Sequence, residues 1–162
     1  HYDHYSEKDI KKIKKEDIII VVPEDLKTTV NDFEEKNIIT VKPNQKYSIE
    51  DIEFETIPAY NTNKKFHPKE NGWVGYILNI QNTRYYIAGD TDITEENQKV
   101  KCDIAFVPIG GTYTMDYKEA AELTNKIKPQ IVIPTHYGKI VGSKQDAINF
   151  SKLIDYPIKL GI

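Results

Sequence analysis

The strongest constraint on the fold is an apolar run that ends in a glycine and two carboxylates. Residues 85–88 read Tyr-Tyr-Ile-Ala and residues 89–92 read Gly-Asp-Thr-Asp. Aromatic and β-branched residues favour a strand, and the turn after a strand can hold a charge without burying it unpaired. We therefore predict that Asp90 is a functional group held by this strand. The alternative is an ordinary turn, in which Asp92 or Thr94 only caps the next helix.

Two other stretches place ligand-type side chains in a similar way. The chain opens with His1-Tyr2-Asp3-His4, and a second apolar run, residues 131–134, leads to His136. Residues two apart in an extended loop point the same way, so His1 and Asp3 could face one cavity with His4 beside them. Imidazole and carboxylate groups at strand ends are the components of a metal site. For residues 1–4 the alternative is a polar terminus or the remnant of a tag. For His136 the alternative is a histidine with a purely structural role.

The chain alternates between strand and helix patterns, which predicts an α/β fold with a parallel or mixed sheet. Its 162 residues contain no evident linker, so we predict one domain over residues 1–162. Strands are predicted at 18–22, 38–41, 52–56, 73–80, 84–88, 103–107, 130–134 and 158–160. The strands at 73–80 and 84–88, with a turn between them, are predicted to form an antiparallel hairpin. Helices are predicted at 7–15, 23–36, from about 95, 117–127 and 144–153. Pro23 and the two acidic residues after it favour the start of the second of these, and Asp116 with Glu119 predicts a capping box for the helix at 117–127.

The composition of the chain limits the classes of partner and the cellular compartment that we expect. A net charge of −3 gives no overall basic character for a nucleic-acid partner. No apolar run reaches the roughly 18 to 20 residues that a membrane span requires. The single cysteine, Cys102, has no partner for a disulfide and is predicted to be a buried small side chain. We therefore expect a cytoplasmic protein without thiolate metal ligands.

Three motifs, in the same order and at similar intervals, resemble those of the metallo-β-lactamase superfamily of hydrolases. Residues 1–4 resemble the end of its His-x-His-x-Asp-His motif, residues 88–91 its Gly-Asp-Thr motif, and residues 134–138 its final histidine motif. The loop at residues 108–115 is similar to one in the ascorbate-phosphate lactonase-like group of that superfamily. The resemblance covers nearly the whole chain and implies a four-layer αββα sandwich with mixed sheets.

The resemblance also implies a site for two divalent metal ions. Zinc is the expected metal, and manganese, iron and nickel are alternatives. His1 would bind one ion together with a histidine two positions upstream, and Asp3, His4 and His136 would bind the other. Asp90 would bridge the two ions. A metal-bridged water would then attack a small anionic ester, lactone or phosphodiester, with Asp3 as the catalytic proton acceptor.

The sequence departs from the family pattern in two places. Family members usually have a further histidine near the position of Asn61, and amides are poor zinc ligands. His67 could replace that histidine, contact substrate, or be an ordinary loop residue; we predict substrate contacts from Asn61, His67 and Tyr113. Because the first motif lacks its upstream histidine, we also expect an N-terminally incomplete chain that covers two-thirds to three-quarters of the fold.

Loop composition gives a further hint about the substrate, and two rival functions stay open. Lysines 64, 65 and 69 would favour an anionic small molecule if they face the site, although a solvated loop explains them equally well. The rivals are a metal-dependent nuclease and a binding or sensory protein that retains the fold without catalysis. A homo-oligomer also stays open.

Overall fold

A computed structural model describes residues 1–13, 15–30, 32–155 and 157. By its internal contacts the chain divides into a first unit, residues 1–42, and a second unit, residues 43–162. Each unit has its own sheet, of two strands in the first and six in the second among the described residues. The strand predicted at 158–160 lies outside the described residues. The α-helices, one parallel sheet and one mixed sheet confirm the predicted α/β class.

The first unit is a small parallel β-structure with one α-helix. Helix α1 (Glu7–Ile13) precedes strand β1 (Ile20–Pro23), which pairs in parallel with strand β2 (Ile38–Val41). Val22 of β1 forms a local core with three apolar side chains from the segment between the strands: Leu26, Val30 and Phe33.

The helix predicted for residues 23–36 is wrong. In its place the described residues contain only two short 3-10 turns, Glu24–Leu26 and Glu35–Asn37. Thr28, Thr29 and Val30 are consecutive β-branched residues, which lose rotamer freedom in a helix and lower its stability. The favourable proline and acidic residues at the predicted start therefore produce one turn and no more.

The second unit is built on a mixed six-stranded sheet whose spatial order follows the sequence. Its strands are β3 (Lys46–Ile49), β4 (Ile52–Pro58), β5 (Val74–Ile80), β6 (Thr83–Ile87), β7 (Ile104–Pro108) and β8 (Ile131–Thr135). Strands β3 to β6 are antiparallel, whereas β6, β7 and β8 run parallel. The predicted β5–β6 hairpin is confirmed. Strand β3 was not predicted, because its turn uses Glu50 at φ 51° where glycine or asparagine would be the usual signal.

Two helices complete the second unit, α2 (Tyr117–Ile127) and α3 (Lys144–Ser151). Helix α2 has the predicted bounds, and Asp116 forms the predicted capping box with Glu119. The helix predicted from about residue 95 is only a 3-10 turn, Asn97–Lys99. Within the described part of the chain, no helix combines the length and apolar character needed to cross a bilayer.

The three parallel strands determine where the site can form. Their carboxyl ends lie at one edge of the sheet, which is where ligands bind in open α/β sheets. Asp90 follows β6 and His136 follows β8, so the topology brings both to this edge. Behind the edge, the sheet packs on an apolar core that includes Val107, Leu123 and Phe150.

Candidate functional site

Asp90 is a buried carboxylate positioned by a glycine turn. After β6 the chain passes through buried Ala88 and then Gly89, whose φ is 68°. Only glycine adopts this left-handed conformation without steric cost, so the strand can turn sharply at this point. The next residue, Asp90, is only 7% exposed. A charged group this deeply buried requires cationic or hydrogen-bonding partners.

His136 lies against one oxygen of that carboxylate. Its Nε2 is 2.8 Å from Oδ1 of Asp90. The backbone of His136 has φ 55°, in the left-handed region that non-glycine residues seldom occupy. Such strain costs about 1–3 kcal/mol and persists where the surrounding structure enforces it, often at functional sites. The ring's other nitrogen, Nδ1, lies 3.2 Å from the hydroxyl of Thr135.

His67 lies against the other oxygen of Asp90. It belongs to the irregular segment between β4 and β5, yet it is only 6% exposed. Its Nε2 is 3.4 Å from Oδ2 of Asp90, and its ring packs edge-on against Trp73 at 5.6 Å between centroids. The second unit thus brings one carboxylate and two imidazoles together.

Asn61 and Tyr113 contact His67 from the opposite side of its ring. The Asn61 side chain is buried, accepts a hydrogen bond from the His67 backbone N–H at 2.9 Å, and donates one to the Tyr113 carbonyl at 2.9 Å. The Tyr113 ring packs edge-to-face on Phe66 at 4.7 Å and is 39% exposed. Substrate contacts by Asn61, His67 and Tyr113 stay a prediction.

A second buried carboxylate, Asp92, holds the same segment in place. Its Oδ2 accepts a hydrogen bond from the Thr62 backbone N–H at 2.9 Å, and its Oδ1 accepts one from the Lys64 ammonium at 2.7 Å. Lys64 is also 3.7 Å from Glu119 at the start of α2. From the sequence, Asp92 was predicted only as a possible helix cap, and its role in holding this segment was missed; the only signal for it is a second acid two residues after Asp90.

Two of the three lysines of this segment, Lys64 and Lys69, pair with acidic side chains of the protein itself. The ammonium group of Lys64 pairs with Asp92, and that of Lys69 lies 2.8 Å from Glu96 and 3.2 Å from the Tyr60 hydroxyl. Two of the three positive charges are therefore balanced within the protein. These two residues therefore give no support for an anionic substrate.

In the first unit, the three predicted ligands His1, Asp3 and His4 share one turn. Residues Tyr2–His4 form a 3-10 turn, so the extended loop assumed from the sequence is wrong. His1 Nδ1 pairs with Asp3 Oδ1, and the rings of His1 and His4 lie 4.2 Å apart between centroids. Side chains three residues apart eclipse in a 3-10 turn, which explains the ring contact. The metal-binding roles of these residues stay predictions.

The donor set of the second unit fits a divalent metal. Two imidazole nitrogens and two carboxylate oxygens converge, and zinc and related cations take these ligands. Burial of Asp90 adds a need for positive charge beside it. The fold and the site together define an α/β protein with a histidine- and aspartate-lined site at the carboxyl edge of its parallel strands.

Comparison with known proteins identifies the family. The family described as "Beta-lactamase superfamily domain" matches residues 1–136, and the chain belongs to this metallo-β-lactamase superfamily. The chain is 31% identical to a protein from Parabacteroides distasonis whose structure is described as that of a metal-dependent hydrolase, with a TM-score of 0.83. That match covers 99% of this chain and 71% of the other.

Curated relatives carry a similar description. A UPF0173 metal-dependent hydrolase from Pyrococcus furiosus is 29% identical over 70% of this chain and 53% of its own length. A protein of the same name from Staphylothermus marinus is 33% identical over 68% of this chain and 48% of its own length. The chain thus spans about half the length of the curated relatives it matches. The superfamily predicted from the motifs is confirmed, whereas the lactonase-like subgroup stays a prediction.

Proposed function

We propose that this protein is a metal-dependent hydrolase that cleaves a small ester, lactone or phosphodiester. The observation that carries the proposal is the buried Asp90 carboxylate, each of whose oxygens faces the Nε2 of one histidine, His67 or His136. The names of its relatives support a hydrolase. With Lys64 and Lys69 paired internally, anionic character of the substrate rests on the lactonase-like resemblance alone.

The family pattern and the donor geometry suggest which residues hold metal. In our proposal His1, Asp3, His4, Asp90 and His136 are ligands for two divalent ions, zinc in the first instance, and His67 is a sixth candidate. A divalent ion held by such groups lowers the pKa of a coordinated water and offers positive charge to a developing oxyanion.

The chain's own groups would then handle protons and charge. Asp90 supplies the negative charge that retains the ions, and the Nε2 atoms of His136 and His67 face its two oxygens from either side. In our proposal the Asp3 carboxylate accepts the proton from water, and the Tyr113 ring contacts the part of the substrate that does not react. We further propose that the protein acts in the cytoplasm.

Metal content and hydrolysis, measured on the same samples, test this function. Elemental analysis of the purified protein should find divalent metal, and Asp90→Asn, which keeps the side-chain shape but removes the charge, should lose most of it. The matched control is Asp51→Asn, an exposed aspartate in the β3–β4 turn. Turnover of a generic phosphodiester, a lactone, and neutral and anionic esters should fall with the metal in Asp90→Asn and persist in the control.

Two results would contradict the proposal. Metal that stays bound in Asp90→Asn would remove Asp90 from the metal site. A fully metal-loaded wild-type protein that hydrolyses none of these substrate classes would favour a metal-binding protein without hydrolytic activity.

A further inference from the structure

Asn61 stands just after β4 and makes three contacts with His67. Its backbone N–H donates to the His67 carbonyl at 2.8 Å, and its Oδ1 accepts from the His67 backbone N–H at 2.9 Å. The same Oδ1 lies 3.2 Å from Nδ1 of the His67 ring. One side chain therefore holds both the backbone and the ring of a residue six positions away.

The orientation of the Asn61 amide follows from its partners. The atom facing the His67 backbone N–H must be an acceptor, which makes it the oxygen. The remaining atom, Nδ2, then donates to the Tyr113 carbonyl at 2.9 Å. A flipped amide would set N–H against N–H and oxygen against oxygen, so only one orientation satisfies both bonds.

This orientation determines where the His67 ring carries its proton. Nδ1 lies 3.2 Å from Asn61 Oδ1 and 3.1 Å from the Tyr113 carbonyl oxygen. Both neighbours are acceptors, so Nδ1 must carry the hydrogen and donate. In the neutral ring Nε2 then has no hydrogen, and its lone pair points toward Asp90 Oδ2 at 3.4 Å. A lone pair and a carboxylate oxygen repel each other unless a cation lies between them.

We propose that Asn61 is a positioning residue that holds His67 in the Nδ1–H tautomer, so that Nε2 is presented as a ligand to a cation shared with Asp90. Metal-binding histidines usually donate their second ring nitrogen to a carbonyl or carboxylate, and the loss of such a partner typically costs about 10- to 100-fold in metal affinity. The affinity part of this inference rests on the proposed metal-dependent function, whereas the tautomer part does not.

The chemistry of the side chain at position 61 determines which of these hydrogen bonds can form. A leucine there would have a similar size but neither donor nor acceptor. An aspartate would still accept from the His67 N–H but would place a carboxylate oxygen against the Tyr113 carbonyl. Asparagine is the side chain of this size that satisfies both neighbours at once.

Nitrogen-15 NMR of the histidine rings in the metal-free, full-length protein tests the tautomer directly. At alkaline pH, where neutral imidazole predominates, His67 should show a protonated Nδ1 and an unprotonated Nε2, with the signal assigned by its loss in His67→Gln. Asn61→Leu should give a mixture of tautomers, whereas Asn63→Leu, an exposed asparagine in the same loop, should leave the wild-type pattern. An Nε2–H tautomer in the wild-type protein would overturn the inference, and this measurement needs no variant to fold.

Zinc titration with a competing chelator tests the consequence for affinity. Asn61→Leu should bind at least one equivalent of zinc 10- to 100-fold more weakly than wild type, and Asn63→Leu should match wild type within twofold. Asn61→Ala, which removes the amide without adding bulk, serves if the leucine variant unfolds, and should also bind more weakly. Unchanged affinity in a folded Asn61 variant would refute the positioning role. If the wild-type protein binds no zinc, the proposed function fails, and the NMR result still tests the tautomer.

Discussion

Replacing Asp92 with asparagine tests how the loop that carries His67 is anchored. The Asp92 side chain is 2% exposed and that of Lys64 is 17% exposed, and their charged atoms are 2.7 Å apart. Asparagine can still accept the bond from Thr62, but it turns an N–H toward the Lys64 ammonium. The substitution therefore leaves a largely buried positive charge without its main partner.

The size of the effect can be estimated from this geometry. Removing one partner of a buried ion pair typically costs about 3–5 kcal/mol. Lys64 retains some contact with solvent and has Glu119 at 3.7 Å as a second partner, which lowers the cost. We expect Asp92→Asn to reduce the free energy of unfolding by about 2–3 kcal/mol.

A double-mutant cycle isolates the pair itself. Lys64→Met removes the ammonium and keeps most of the side-chain volume, so the double variant should be less destabilised than the sum of the two single variants by about 1–2 kcal/mol. Urea unfolding, followed by the fluorescence of Trp73, the chain's one tryptophan, measures all four proteins. That ring packs on His67, so it reports on the same loop.

The Lys69–Glu96 pair provides the control for this cycle, because the Lys69 side chain is 59% exposed. Its Lys69→Met variant should cost less than about 1 kcal/mol, as exposed pairs usually do. A coupling energy between Asp92 and Lys64 within about 0.5 kcal/mol of zero would show that their pair behaves like an exposed one, and would refute the anchoring argument.

Three further predictions concern packing, pH and thiol reactivity. In Gly75→Ala the new Cβ would lie 2.5 Å from the Ala88 carbonyl oxygen, so thermal melting should show a loss of about 1–3 kcal/mol. Zinc binding should also weaken because the turn after Ala88 must move, and unchanged melting would contradict the predicted clash. Burial alone would raise the pKa of Glu96, but hydrogen bonds from neighbouring side chains outweigh it and hold the pKa below its usual 4.5. The resulting stabilisation is complete above pH 4.5 and is lost as pH falls through the lowered pKa. In urea unfolding, Glu96→Gln should therefore lose less stability than wild type over that acidic range. An equal loss of stability in the two proteins would contradict this. Burial raises the pKa of the Cys102 thiol to about 11, so a thiol reagent at pH 8 should label the folded protein far more slowly than the urea-unfolded one, and equal rates would contradict the assignment.

Much of the second unit could be predicted because its sequence signals are local and agree with one another. Helix α2 combines an apolar stripe with an Asp116–Glu119 capping box, and its predicted bounds are those observed. The β5–β6 hairpin has strong strand formers on both sides of Gln81 and Asn82, which take the positive φ angles of a tight turn. In the first unit, by contrast, an apparent helix start was followed by β-branched residues, and only a turn forms.

The candidate site was predictable only where strands place its residues. Asp90 and His136 each follow an apolar strand, and parallel pairing brings both to one edge. His67 lies in an irregular segment whose path depends on distant hydrogen bonds, from Asn61 to the Tyr113 carbonyl and from Thr62 to Asp92. No periodicity encodes such contacts, so the sequence could propose His67 as a candidate but could not place it.

Backbone strain supplies an independent reason to regard this edge as functional. Several non-glycine residues have positive φ, and local structure accounts for most of them: Glu50 lies in the β3–β4 turn, Gln81 and Asn82 form the β5–β6 turn, and Lys128 ends helix α2. His136 is different, because it follows directly on strand β8 with neither a hairpin nor a helix end to explain its φ of 55°. The conformation costs about 1–3 kcal/mol and directs the imidazole toward a buried carboxylate. A sequence selected for stability alone would favour glycine or asparagine at this position, so the strained histidine supports, independently of the family motif, our proposal that its ring takes part in the site.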